Sequence, residues 1–345
     1  MKYTRREFGT LALTGVPAAA LLERSHVASL FAAERPNSLI NGVQIGTITY
    51  SYRSMPDQSA EALLGYILAN GISAVELMGQ PAEQFAGAPS NGRGRGPGGQ
   101  PRGGPGAGAA GGGGGRRGRA EQTPEQQAAQ REAREALRKW RTSVSMDKYK
   151  ELRKLYGDAG VKIYALKISP AADMTDDEMD YVFNAAAATG ATHVTLEVTD
   201  DVPFLTRVGS LAERHKVYAA YHSHAQGGMN AFDAAFAASK SNRANVDFGH
   251  YVAGGNKGGT TLQFLEKFHD RIASFHMKDR TTPEHGEKNL PWGTGETPLR
   301  EILQTVKRNR WTMPATIELE YEVPQESDAV KEVAKCLQYS REALA

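Results

Sequence analysis

From residue 42 to the C-terminus, short segments with β-strand character alternate with helical ones, and this rhythm constrains the fold more than any other feature. Segments 42–52 and 72–78 are rich in β-branched and aromatic residues and are expected to be strands. The helix between them, 59–70, carries apolar residues at helical spacing and stops at Gly71. Beyond residue 157 the alternation is regular. Strands are expected over 161–169, 192–198, 217–224, 244–249, 272–276 and 315–321, with helices over 175–189, 201–215, 231–238, 260–268, 299–306 and 330–344. Eight strands separated by helices call for parallel pairing through helical crossovers. Eight such units predict an α/β chain closed into a (β/α)8 TIM barrel, one domain over residues 42–345. The alternative, an open doubly wound sheet, lacks its usual mark, because no G-x-G-x-x-G follows the first strand.

Two stretches stand outside this rhythm. The 37 glycines are concentrated in a Gly/Arg-rich run, residues 89–120, which cannot bury a core and is expected to be a disordered insertion within the barrel. Residues 121–157 are Ala-, Glu- and Arg-rich and predict a long helical stretch broken near 142–145. At the N-terminus, Thr4-Arg5-Arg6-Glu7-Phe8 precedes a short apolar run, residues 11–22. That pattern is similar to a twin-arginine signal, which hands a folded protein to the export machinery. Residues 1–35 are therefore expected to be a signal peptide with cleavage near Ala32-Ala33, and the mature protein to be periplasmic or secreted. The apolar run is too short to span a bilayer, so no stable membrane insertion is expected once the signal is removed. A formal net charge of +2 does not call for a polyanionic partner, and Cys336 is the only cysteine, which excludes an intramolecular disulfide and a thiolate metal cluster.

Chemistry in α/β barrels gathers at the C-terminal ends of the strands. Here those ends supply Glu76, Lys167, Glu197, His222 with His224, Asp247 with His250, His276 with Lys278, and Glu318 with Glu320. The segment 272–296 concentrates them most. It has an apolar strand, then His276, Lys278, Asp279 and Arg280, then a turn-rich loop holding Trp292. Side chains alternate along a strand, so His222 and His224 share a face, as do Glu318 and Glu320. One histidine at a strand end is well explained as hydrogen-bonded scaffold. Imidazoles and carboxylates at four successive strand ends, with no thiolate, suit a divalent ion such as Mn, Co, Mg or Zn. His222, Asp247, His276 and Glu318 are the expected ligands.

The motifs His222-Ser223-His224, Asp247-x-x-His250, Phe275-His276-Met277-Lys278-Asp279 and Ile317-Glu318-Leu319-Glu320 resemble the xylose isomerase-like TIM-barrel superfamily of sugar isomerases and epimerases, inosose dehydratases and apurinic endonucleases. The resemblance implies that Asp247, His276 and Glu318 are metal ligands and that His250 contacts substrate. Glu320 takes the place of Glu318 if the last strand is registered two residues later. The family's remaining ligand is usually a Glu at the end of strand five. His222 stands there in this chain, as in the Tyr-His-x-His branch that resembles inosose dehydratases and 3-keto-glycoside lyases. Epimerisation by two opposed glutamates is then in question, since each face of the substrate needs its own base. A neutral imidazole leaves the metal more electropositive and favours proton removal next to a carbonyl.

The expected function is thus a metal-dependent sugar isomerase or epimerase-like enzyme acting on an unphosphorylated sugar, with elimination from a 3-keto-glycoside or inosose as the alternative. Glu318, His222, Lys278 and Glu197 are the candidate catalytic groups. His250, His224, Lys167, Arg280, Trp292 and Glu320 are the candidate substrate contacts. Trp292 serves either as a stacking face for a sugar ring or as a loop anchor. A non-catalytic sugar-binding barrel is a further alternative. A nuclease is disfavoured, because the first three strands contribute no histidine. No nucleic-acid partner is expected, and an oligomer is compatible with all of these readings.

Overall fold

The computed structural model describes residues 35–89 and 123–345. The expected signal peptide and Gly/Arg-rich insertion lie outside these residues, save one position at the edge of each. Eight parallel strands close on themselves: β1 (Val43–Ile48), β2 (Ala74–Met78), β3 (Lys162–Lys167), β4 (His193–Glu197), β5 (Tyr218–His222), β6 (Asn242–Asp247), β7 (Ile272–Met277) and β8 (Ala315–Ile317). Each pairs with its sequence neighbours. The ring shuts where Ala315 of β8 lies opposite Phe275 of β7 on one side and Ile45 of β1 on the other. The expected (β/α)8 barrel is the observed fold. Among the described residues no helix is long and apolar enough to cross a membrane.

Local sequence explains where the helices begin. Thr175 and Glu178 form a reciprocal capping box at the start of the helix Asp176–Thr189, and Gly190, at φ 78°, ends it in the left-handed region. Thr260 with Gln263 caps Thr261–Phe268 in the same way, and Thr123 with Gln126 caps Pro124–Arg141. The stretch 121–157 is two helices, Pro124–Arg141 and Asp147–Asp158, broken where expected.

The outward faces of the strands and the inward faces of the helices form one large apolar cluster, with Tyr149, Phe183, Phe232, Phe264 and Phe275 fully buried. The barrel interior is different in kind. Tyr164 reaches across it to donate or accept at Thr316 Oγ1, 2.7 Å away. It lies so close to Gly46 that a Cβ there would fall 2.6 Å from the ring, which is why β1 carries a glycine. His193 Nε2 lies 2.9 Å from Ser274 Oγ, and Thr195 Oγ1 donates to Glu76 at 2.8 Å. The interior is thus a connected polar column, and it forms the floor of the site above it.

Several strands end before their expected limits, and at β1 and β8 side chains take over the backbone's hydrogen bonds. β1 stops at Ile48, and Thr49–Tyr52 turns as a 3₁₀ helix. There Thr49 Oγ1 accepts from Met78 N–H, and Ser51 Oγ donates to Ile317 O. β8 stops at Ile317, since the next N–H after Glu318, that of Leu319, donates to Ser51 Oγ rather than to a strand. β5 stops at His222, leaving His224 in a loop. After β6 the chain enters an unexpected short helix, Phe248–Ala253, capped by Asp247.

Candidate metal centre at the barrel mouth

Period-two alternation sorts the mouth. On β7, Phe275 and Met277 face the helices, whereas Ser274, His276 and then Lys278 face the barrel axis. On β6, Val246 packs outward, whereas Asn245 and Asp247 turn inward. Thr316 and Glu318 do the same at β8, and His222 at β5. His222, Asp247, His276 and Glu318 are brought together: all are buried, and each offers one ligand atom within 4.8 Å of the others. These are the four residues that the strand ends and the resemblance single out.

Three of the four are oriented by a hydrogen-bonding or charged neighbour. Asp247 uses Oδ1 to accept from His250 N–H at 2.8 Å, as the cap of the short helix. Its Oδ2 is left buried without a hydrogen bond, though Lys278 Nζ lies 3.1 Å away. His222 Nδ1 is likewise buried and unpartnered. His276 is held at both nitrogens, Nε2 at 2.8 Å from Glu76 and Nδ1 at 2.5 Å from Glu318 Oε2. With Nε2 turned to Glu76, Nδ1 is the atom His276 has to offer. A buried polar atom with no partner costs free energy. His222 Nδ1 bears that cost, and the two imidazoles and two carboxylates gathered within 4.8 Å of one another fit a cation bound by two nitrogens and two oxygens.

Charges follow from this packing. Burial works against charge on His276, yet Glu76 and Glu318 outweigh it and raise its pKa to about 10. Burial also opposes the Glu318 carboxylate, but Lys278 and His276 hold it well below the usual range. Asp247 is pushed up by burial. His222 is held neutral, first by burial and then by the His276 and Lys167 charges.

The remaining candidates form two groups beside the cluster. Lys278 is buried, with Nζ 3.1 Å from both Asp247 Oδ2 and Glu318 Oε2, 2.6 Å from Glu320 Oε2 and 3.0 Å from His250 Nε2. Arg280 Nη1 lies 2.5 Å from His250 Nδ1, and its Nη2 donates to Glu287 O. His250 therefore sits between two cations, and burial together with those charges keeps its imidazole neutral. The second group is a chain, with Lys167 Nζ 3.2 Å from Glu197 Oε1 and His224 Nδ1 3.1 Å from Glu197 Oε2. Glu197 loses solvent on burial, but His224 and Lys167 more than compensate and hold its pKa down. Beside this chain opens a groove of about 450 Å³ whose walls include Val198, Asp200, Gln226, Met229, Asn230 and Lys257.

Trp292 packs elsewhere: it is half-buried with its ring edge-on to Tyr339 of the last helix, at 5.8 Å between centroids. Three residues that sequence reasoning left out of the site belong to it. Glu76, placed at a strand end but given no role, is fully buried and orients His276. Tyr50 and Arg53 lie in the turn after β1. Arg53 stacks 4.6 Å from the Tyr50 ring centroid and donates to Leu319 O, next to Glu318 and Glu320. Their only sequence signal is a position just past a strand, and reading that strand through residue 52 concealed it.

A closed parallel (β/α)8 barrel with imidazoles and carboxylates converging at its C-terminal mouth defines a class of barrel enzymes in which the strand ends carry the chemistry. Within that class the chain belongs to the xylose isomerase-like TIM barrel family, whose model matches residues 127–340. No curated protein matches the sequence significantly. Among solved structures, a sugar phosphate isomerase/epimerase from Parabacteroides distasonis aligns at TM-score 0.54 and 14% identity, over 87% of this chain and 94% of that one. A probable 3-DHS dehydratase from Bacillus anthracis aligns at 0.54 and 13%, over 86% and 99%. A 3-keto-D-glucoside 4-epimerase from E. coli aligns at 0.53 and 11%, over 87% and 99%. At these identities the likeness is one of fold.

Proposed function

We propose that this protein is an exported, divalent-metal-dependent enzyme that removes a proton next to a carbonyl of an unphosphorylated sugar, in the manner of sugar isomerases and epimerases. The observation that carries the reading is the buried convergence of His222, Asp247, His276 and Glu318, in which His222 Nδ1 has no hydrogen-bond partner and Asp247 Oδ2 is met only by the Lys278 ammonium. These four residues would hold the ion (Mn, Co, Mg or Zn), which when bound supplies Lewis-acid polarisation of the sugar oxygens.

The rest is the work of the chain's own groups. Glu318 is tied down by His276 and Lys278, so Glu197, kept ionised by His224 and Lys167, is the base. Its carboxylate takes the α-proton while the C–H electron pair moves toward the carbonyl oxygen. Lys278 donates a hydrogen bond to the charge that develops there, and His250, His224, Lys167, Arg280 and Glu320 contact the hydroxyls.

Elimination from a 3-keto-glycoside is the second reading, and two observations favour it. His222 replaces one of the two carboxylates that two-base epimerisation would use. The groove beside Glu197 and His224 offers room for a group beyond the reacting ring. In that case Glu197 takes the α-proton, the C–H electron pair forms the new double bond to the β-carbon, and the β-substituent leaves with the pair of its own bond and takes up a proton.

The test is incubation of the metal-loaded protein with keto-sugars and 3-keto-glycosides in deuterated water, followed by NMR. Deuterium at the α-carbon, or an elimination product, is expected from wild type and is lost with EDTA or in Glu197→Gln. A protein that binds sugars without any exchange is a binding barrel and ends the enzymatic reading. Export has its own test: residues 1–35 fused to a reporter should carry it to the periplasm, and Arg5→Lys with Arg6→Lys should stop it.

A further inference from the structure

The Lys278 ammonium has an unusual position for a residue whose only task is to stabilise charge developing on a substrate. It is 2% exposed, at the centre of three carboxylates, and two of those, Asp247 and Glu318, are candidate metal ligands. Its shortest contact, 2.6 Å, is to the third, Glu320, which lies outside the four-ligand cluster and is the most exposed of the three at 18%. A divalent ion held by the four ligands must therefore share two of them with a resident positive charge a few ångströms away. His250 and Arg280 beside it bring no negative charge, so Glu320 is the one carboxylate facing the ammonium that the four-ligand cluster does not use.

We propose that Lys278 is a built-in cation of the site. Without metal, its ammonium holds Asp247 and Glu318 together and keeps the mouth folded. With metal bound, it remains as a like charge that weakens the ion's hold, and Glu320 sets how strongly by drawing the ammonium outward. The centre is thus poised for loose, exchangeable binding of an ion that stays electropositive. The proposal rests on the metal-centre reading above and adds to it a positioning role for Lys278 and Glu320 that no substrate is needed to detect.

The experiment is competition for Zn(II) between the purified, EDTA-stripped full chain and a chromophoric chelator, with thermal unfolding measured with and without the ion. Lys278→Met should tighten the apparent Zn(II) affinity by about tenfold or more, the scale of one like charge at this range. The same variant should unfold at a lower temperature in EDTA yet gain more from added Zn(II) than wild type does. Glu320→Gln should weaken the affinity by about threefold or more, and most of that loss should vanish in the double variant, because the lysine through which it acts is gone. Unchanged or weaker affinity in Lys278→Met overturns the proposal, as does a Glu320→Gln effect of equal size on both backgrounds. If Lys278→Met does not fold, Glu320→Gln decides, and unchanged affinity there overturns it. Failure of wild type to bind any divalent ion would instead sink the metal-centre reading itself.

Discussion

Glu76 sits at the bottom of the mouth with no exposure, and it accepts from Thr195 Oγ1 at 2.8 Å while facing His276 Nε2 at the same distance. A carboxylate in this position fixes the imidazole's orientation and raises its basicity as a ligand. Burial opposes the Glu76 charge, yet His276 and Lys167 outweigh it, so the carboxyl stays ionised below its usual pKa. Glu76→Gln preserves the shape and an acceptor but removes the charge. It is expected to weaken metal binding about 10- to 100-fold, the usual cost of losing such a partner. Zn(II) competition measures this, and an affinity within twofold of wild type would show that Glu76 is scaffold only. The four proposed ligands were legible because each ends a strand and carries a metal-binding side chain. The role of Glu76 was not, because a strand-end carboxylate does not announce which residue 200 positions away it will meet. Tyr50 and Arg53 were hidden by a strand that ends four residues earlier than its β-branched and aromatic residues suggest.

At the scale of elements, the crowded end of β7 shows how alternation separates residues that look equivalent in sequence. His276, Lys278 and Arg280 share the inward face, whereas Asp279 points to the other side. Its carboxylate there accepts from the backbone N–H groups of Gly293, Thr294, Gly295 and Thr297, at 2.7 to 3.2 Å. Asp279 therefore fastens the loop after β7, and Trp292 against Tyr339 fastens it a second time. Asp279→Ala leaves four N–H groups without their acceptor. It is expected to cost about 1–3 kcal/mol, read as a lower urea midpoint, with Zn(II) stoichiometry unchanged. Loss of metal in this variant would mean that the loop helps to build the centre. His276→Ala should behave in the opposite sense and lose the metal. Parity along the strand could have drawn this distinction from sequence. The short helix Phe248–Ala253 could not be found that way, since its six residues are too few to show a helical period.

At the scale of the whole molecule, the family match begins at residue 127, yet β1 and β2 lie before it and are needed to close the ring. Closure thus depends on two strands separated from the rest by residues 90–122. The flanks of that stretch are tied together on the outside of the barrel. Arg141, at the end of Pro124–Arg141, grips Glu83 of the helix Gly79–Phe85 at 2.8 and 3.2 Å, and Tyr181 OH donates to the same carboxylate at 3.0 Å. The pair is largely buried, so it holds more firmly than a surface ion pair would. Composition predicted that residues 89–120 interrupt the fold, but which helices clasp the interruption required the structure, because Glu83 and Arg141 lie 58 positions apart. Loop-closure entropy grows slowly, by about 0.6 kcal/mol for each doubling of length. With the flanks held independently, the barrel should tolerate a shorter connection. Replacing residues 90–122 with a flexible linker of about ten residues is expected to shift stability by no more than about 1 kcal/mol, in the stabilising direction, and to leave Zn(II) binding intact. Urea unfolding and metal stoichiometry of the shortened chain check this. A barrel that fails to fold would place native contacts within the removed residues. A folded barrel that no longer binds Zn(II) would tie them to the mouth.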